Sequence, residues 1–533
     1  MNAPSVCIRL GFLLAFLLAP GFRVTAQEAS VALRSISEAE LRDHIFFLAS
    51  DLLEGRDAEG PGYRLAAEYV AIHMGQAGLQ TLYADSTGAP SYLQQIQFES
   101  SSLSPESSLG VEVGGVEIPL IRGEDYVLQE ILASGADRSA TGVPIFLGFG
   151  IEEPDLGWDD YEGLDVAGRM VVMVAGAPVR DGQPVLPEEE HQLYGSLQRS
   201  ANTRFQAAMN HGATTVIVVL DPGSMALWEI IKSQADAPST RPMVQRADPT
   251  APAPAFSELI LIKPESAAQL LSGTGLDPVT GTGAYATGPL EAVRLSLETH
   301  HTVEAGYSSP NVVGLLPGTD PILKEEYIVV TAHLDHVGVR NGAVFNGADD
   351  NASGSAAALE AAEAAALTPG MRSMLFVLLT AEEKGLLGAT AFVAAPPVPV
   401  EQIVLNINLD MVGRNSPDFP DVLLAMASEN GRTPLLEMIR EVNEGGIGAP
   451  LDWRLNEGDD PRAHVQRSDQ MAFMQKGIPA ILITRGFMGP DYHEPSDDPE
   501  TINYQKVLHA ARLTLGLALE AANRRELGFG RGG

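Results

Sequence analysis

The chain has 533 residues, a formal charge of −35 at pH 7 and a pI near 4.6. That length exceeds one ordinary hydrophobic core and predicts two domains. The charge excludes nucleic acid, whose phosphates would be repelled, and otherwise serves solubility; acidic walls would also favour substrates with a free, positively charged amino end.

Residues 1–26 read as a secretory signal: Arg9 precedes the short apolar run "LGFLLAFLLAP", and "VTA" places small residues for cleavage near Ala26. Pro20, Gly21 and Arg23 end the run well short of the roughly 20 apolar residues a membrane span needs. Export to the periplasm or medium is therefore expected, with no stable membrane insertion once the signal is removed. The single cysteine, Cys7, lies inside that signal and before its apolar run, so neither a disulfide nor a thiolate metal site is expected in the mature chain, and any zinc must rest on His and carboxylates.

Residues 37–79 carry helical spacing in two pieces. "SEAELRDHIFFLASDLL" opens with a Ser cap and a Glu three positions on, and "GYRLAAEYVAIHMGQAGL" stops at glycine. From about 116 to 295 the texture changes to short β-rich runs, "VPIFLGF", "RMVVMVAG" and "TTVIVVLD", with Pro- and Gly-rich joins and one helix, "TRFQAAMNHG", which reads as an inserted domain. After residue 300 apolar strand runs alternate with helices: "EEYIVVTAH", "GSAAALEAAEAAAL", "SMLFVLLTAEE", "QIVLNINLD", "LLEMIREVN", "AILITR" and "YQKVLHAARLTLGLALEAAN". Such alternation predicts an α/β domain, a three-layer, mostly parallel mixed sheet flanked by helices. In that architecture ligands gather beyond the carboxyl ends of the strands.

The polar residues of interest follow the strand runs. His333 ends "YIVVTAH", and Asp335 stands two residues on as a partner for its second ring nitrogen. Asp349 and Asp350 in "NGADDNASG" precede a helix, where acids also serve as caps, a reading that weighs most for Asp349. Glu382 and Glu383 follow "SMLFVLL"; adjacent side chains diverge, so one can bind metal while the other faces a metal-activated water. Asp410 closes "IVLNINLD", where a charge is costly unless paired or metal-bound, and His493 sits in "DYHEPSDD" between Pro490 and Pro495. Each has an ordinary structural reading. Together, two imidazoles and three or more carboxylates at the strand ends of one domain suit zinc or a related divalent ion.

"TAHLDH", "NGADDNASG", "TAEEKGLLGA", "NLDMVG" and "YHEPSDD", in that order, resemble the two-zinc exopeptidase family that contains bacterial leucyl aminopeptidase, aminopeptidase Y and glutamate carboxypeptidase. "FLASDLLEGRDAEGPGYRLAAEYVA" is similar to that family's N-terminal helices, and the β-rich insert is similar to its protease-associated domain. The resemblance implies a zinc peptidase domain in two parts, residues 34–115 and 296–525, around an insert at 116–295. It implies two Zn2+ per chain, Asp350 bridging them, His333 and Asp410 on one and Glu383 and His493 on the other, with Glu382 as general base and Asp335 orienting His333.

The implied activity is hydrolysis of N-terminal residues from peptides. The alternatives are a carboxypeptidase, a non-catalytic peptidase-like binding protein, and a one-zinc relative that cyclises N-terminal glutamine. A carboxypeptidase needs cations for the terminal carboxylate, and Arg414, Arg467 and Arg485 lie near the motifs, though structural ion pairs are the stronger expectation for them. Neither HExxH nor GxSxG is present. The chain departs from the family in "RAHVQRSDQMAFMQKGIPA": where relatives have Tyr before "SD" and His after it, this chain has His464, Val465 and Gln470. Side-chain preference and oligomeric state are not encoded in any of these signals.

Overall fold

The computed structural model describes residues 26–130, 137–180, 182–235, 239–243, 258–415, 420–429, 431–457, 464–486, 489 and 491–530. The signal expected over residues 1–26 lies outside them but for its last residue.

A nine-stranded sheet carries the main domain. Its strands are β1 (Leu93–Leu103), β2 (Ser239–Pro242), β3 (His301–Leu316), β4 (Tyr327–His333), β5 (Ser373–Leu379), β6 (Ile403–Leu409), β7 (Leu423–Ala427), β8 (Leu451–Asp452) and β9 (Ala480–Thr484), in the order β2-β1-β3-β5-β4-β6-β9-β7-β8. Parallel pairing joins β5, β4, β6 and β9 at the centre, whereas β2, β1 and β3 on one side and β7 against β9 on the other pair antiparallel. The short edge strand β8 pairs parallel with β7, so the sheet is mixed, as expected, and its longest parallel block is made of strands that read as continuous apolar runs. Strands buried on both faces need such runs. On β4, Ile328, Val330 and Ala332 face one core and Val329 faces the other, which is the period-two alternation of a strand between two helical layers.

Among the helices that flank this sheet are α1 (Glu38–Leu48), α2 (Pro61–Gln76), α3 (Gly354–Ala366), α4 (Leu387–Ala394), α5 (Gln470–Met474) and α6 (Tyr504–Asn523). The Ser cap expected before α1 is formed: the Glu40 N–H donates to the Ser37 hydroxyl at 3.2 Å, and that hydroxyl donates to the Glu40 carboxylate at 2.7 Å. Helix α2 opens with Pro61 and ends ahead of Gly78, which takes φ +83°. Helices α1, α2, α3 and α6 cover one face of the sheet in the largest core cluster, and Phe392 of α4 and Phe473 of α5 cover the other.

The chain leaves the main sheet on β1 and returns on β3, which pair over most of their length with a bulge between Ala305 and Ser308. Between them lie a four-stranded antiparallel sheet that includes Ser108–Val113 and Val293–Thr299, and a six-stranded sheet whose centre is the parallel set Met170–Val174, Thr215–Val219 and Glu258–Ile262. The helix Leu197–Asn210 packs on the latter through Leu197, Ala207 and Ala208. Strand β2, which falls within the stretch expected as an insert, pairs with β1 and extends the main sheet. Among the described residues no helix is long and apolar enough to cross a membrane.

Candidate metal centre

Four strands of the parallel centre deliver the site. His333 is the last residue of β4; Glu382 and Glu383 follow β5; Asp410 follows β6; and His493 lies in the loop beyond β9. Asp350 comes from the turn that leads into α3. Ala381, Met411 and His493 take φ of +53°, +55° and +53°, so the backbone beside three ligand segments is left-handed at non-glycine residues, a cost that folded proteins tolerate chiefly at functional sites.

The side chains form two adjoining groups. One comprises His333, Glu382 and Asp410, the other His336, Asp350, Glu383 and His493; within each group one ligand atom per residue lies within 4.8 Å of the rest. Asp350 faces both. Its Oδ1 is 3.4 Å from His333 Nε2 and its Oδ2 is 3.2 Å from His493 Nε2. His333 Nε2 lies 3.3 Å from Asp410, and His493 Nε2 lies 2.9 Å from Glu383.

The buried Nε2 atoms of His336 and His493 make no hydrogen bond, although the latter is within 3.2 Å of two carboxylates. Ring nitrogens and carboxylate oxygens that converge in this way fit a cation. So does the charge: Asp350, Glu382, Glu383 and Asp410 share this volume with three imidazoles, and carboxylates out of water need pairing or metal. The residues present therefore fit a divalent transition ion held by nitrogen and oxygen.

The electrostatics follow from this crowding. Burial alone would lower the His333 pKa, but Glu382 and Asp410 outweigh it and raise it well above the usual imidazole range. Burial likewise favours neutral His493, yet Asp350 and Glu383 carry its pKa up to about 9. Glu382 is raised well above the ordinary carboxylate range, first by burial and then by Asp469, Asp410 and Glu383, with His333 opposing. Against its own burial, Asp350 is held well below that range by its contacts with His333 and His493.

Asp335 serves the site differently from the expectation. His333 Nδ1 lies 3.1 Å from the Asp335 main-chain carbonyl and 3.9 Å from its carboxylate. The carboxylate instead accepts the N–H groups of Glu382 at 3.0 Å and Glu383 at 3.3 Å, fixing the segment that carries both acids. Asp349 points away from the centre. It pairs with the fully buried guanidinium of Arg485 and accepts the Gly413 N–H at 2.6 Å. Arg485 also bonds Asp491 at 2.7 Å, and Arg414 reaches Asp491 at 3.1 Å and Asp497 at 3.7 Å. Two of the three arginines considered for a substrate carboxylate are thus ion-paired within the protein. Arg467 is exposed. The side chain of His464 lies outside the described residues.

Four participants were not singled out by the sequence. His336 was visible as the second His of "HLDH", on the same strand exit as His333; its Nδ1 lies 2.8 Å from Glu383. Asp497 accepts the N–H groups of Asp349 at 3.0 Å and Asp350 at 3.1 Å. Asp469, in "RSDQM", is fully buried with neither carboxylate oxygen hydrogen-bonded, and burial lifts its pKa to about 8. Arg56 donates to the carbonyls of Leu334 at 2.8 Å, Asn346 at 2.7 Å and Gly347 at 2.9 Å, tying the segment after α1 to two site loops. Gly55 beside it has φ +67°, and a Cβ there would stand 2.4 Å from the Phe345 carbonyl oxygen, so only glycine admits this approach. Nothing short of the fold marks Arg56 or Asp497.

An α/β sheet whose strand ends bring carboxylates and imidazoles around a shared aspartate defines a candidate metal centre in an α/β protein. Residues 311–518 match the model of peptidase family M28. The chain is 26% identical over 230 residues to a probable leucine aminopeptidase of Arthroderma otae, covering 41% of this chain and 60% of that relative. It is 26% identical over 379 residues to aminopeptidase YwaD of Bacillus subtilis, covering 69% of this chain and 74% of the relative. The solved aminopeptidase from Aneurinibacillus sp. strain AM-1 aligns over 93% of this chain and 96% of its own, at 17% identity and a TM-score of 0.47.

Proposed function

We propose that this protein is an exported aminopeptidase that holds two zinc ions at the strand-end centre and releases residues from the free amino ends of peptides. One observation carries the reading: the two oxygens of Asp350 face separate ligand groups, one with His333 and Asp410 and the other with Glu383 and His493. The match to peptidase family M28 and the aminopeptidase relatives support metallopeptidase chemistry. The internal pairing of Arg414 and Arg485 leaves neither to grip a terminal carboxylate and favours the amino end over the carboxyl end.

Divalent ions in such a centre supply Lewis acidity toward the scissile carbonyl and a water nucleophile of lowered pKa. Glu382 would accept a proton from the attacking water and return it to the leaving amine. Its raised proton affinity, which comes from burial among like charges, suits the acid half of this cycle, and a cation nearby favours the ionised form needed for the base half. Asp335 keeps Glu382 and Glu383 in place through their backbone N–H groups, and Asp350, His333, Asp410, Glu383 and His493 would hold the ions. The segment between β1 and β3 fits the role of an inserted protease-associated-like domain beside the peptidase domain.

A panel of short peptides in free and N-acetylated forms, with products read by mass and a chelator control, tests the reading. Stepwise release from free amino ends only, lost on chelation and restored by zinc, is the expected result. Release at the carboxyl end of blocked peptides would reassign it as a carboxypeptidase, and no cleavage would favour a binding protein. Mass analysis of the chain recovered from an exporting host tests cleavage near Ala26.

A further inference from the structure

A second group of metal-ligating side chains lies outside the strand-end centre, where α1 and α2 pack on α3. One ligand atom from each of His44 on α1, His73 on α2 and Glu363 on α3 lies within 4.8 Å of the others. His73 Nδ1 is 3.0 Å from Glu363, and the two imidazole rings meet edge to face with centroids 4.8 Å apart. His44 Nδ1 is 2.8 Å from the Tyr69 hydroxyl, the outer hydrogen bond that a ligating imidazole commonly has, and its Nε2 is 3.3 Å from Glu360.

Glu360 is the telling member. It is 3% exposed, and its Oε1, the oxygen facing His44, has no hydrogen-bond partner. A buried carboxylate oxygen left so is costly unless a cation completes it. Glu360 and Glu363 are three residues apart on α3 and therefore share a helix face. The inner pair is sealed, whereas His73 and Glu363 are 25% and 34% exposed, which gives an ion a path from solvent.

We propose that His44, His73 and Glu363, with Glu360 completing the set, form a further site for a divalent ion of the zinc class. Two imidazoles with carboxylates select zinc and its transition-metal neighbours over calcium or magnesium, which take all-oxygen sets. An ion there braces α3, the helix that starts directly after the Asp350 turn, against α1 and α2. Its role is structural, and it takes no part in peptide hydrolysis.

The test is zinc per chain by elemental analysis after chelation, zinc re-addition and desalting, for the wild type, His73→Ala, Glu363→Gln and Asp350→Asn, with folding checked by circular dichroism. His73→Ala and Glu363→Gln are expected to hold one zinc fewer than the wild type, to keep its peptidase activity and to lose part of its zinc-dependent rise in melting temperature. Asp350→Asn keeps the helix-bound ion. Because the readout is the difference between the wild type and the helix variants, it stands whether or not the strand-end centre takes two ions. Equal zinc in the wild type and in both folded helix variants would overturn the site and leave the cluster a hydrogen-bonded network.

Discussion

Two buried charged regions lie side by side in the main domain and differ in how their charges are satisfied. In the ion-pair shell, Asp349, Asp491 and Asp497 are matched by Arg485, Arg414 and backbone N–H groups. In the centre, among the described residues, Asp350, Glu383, Glu382 and Asp410 gather around the imidazoles of His333, His336 and His493, and two ring nitrogens have no hydrogen bond. The neighbours Asp349 and Asp350 fall on opposite sides of this boundary. A closed network stabilises the fold, whereas an open one is left for something the polypeptide does not supply.

The largest expected effect falls on the open side: Glu382→Gln should lower kcat by about 10²–10⁴-fold while zinc content and melting temperature stay at wild-type values. A comparable loss of zinc in that variant would move Glu382 from base to ligand. On the closed side, Arg485→Met strands Asp349 as an uncompensated buried charge and should cost about 3–5 kcal/mol in denaturant unfolding, with zinc content of the folded fraction unchanged. Zinc loss without destabilisation would erase the boundary between the two regions.

A third buried carboxyl, distant in sequence, sharpens the comparison. Asp160 accepts N–H groups from Phe149 at 3.2 Å and Ile151 at 3.0 Å and a hydroxyl from Tyr285 at 3.1 Å, yet burial raises its pKa to about 6. A folded pKa above the unfolded one means the folded state binds the proton more tightly. The stability it contributes is full below about pH 4 and is lost as pH rises through about 6, a change of at most ~3 kcal/mol. Asp160→Asn should flatten that part of the stability profile, and an unchanged profile would remove Asp160 as its source. The smallest effect is expected at His336→Ala, which removes a neighbour of Glu383 and should weaken zinc binding about 10–100-fold, without the stability loss of the Arg485 variant.

Much of this was legible in the sequence because strand-end acids and imidazoles stand out against apolar runs. His333, Asp350, Glu382, Glu383, Asp410 and His493 all reach the centre, and the Ser37 cap and the glycine stop of α2 are where the pattern places them. His336 was within reach, since "HLDH" carries it three residues from His333. Arg56 gave no such signal, because a lone arginine after "EG" looks like any surface arginine until its carbonyl partners converge from two distant loops.

By itself, then, the sequence determined the alternation of strands and helices, the α/β class and the set of residue types available for a metal, because periodicity and residue chemistry are local properties. Only the tertiary structure decided that Asp349 is tied to Arg485 while Asp350 faces two ligand groups, that Asp335 holds the Glu382 segment through its backbone, and that antiparallel strands flank the parallel centre of the sheet. Each of those outcomes depends on which distant group meets a buried charge or an open strand edge, and burial makes the match costly to miss.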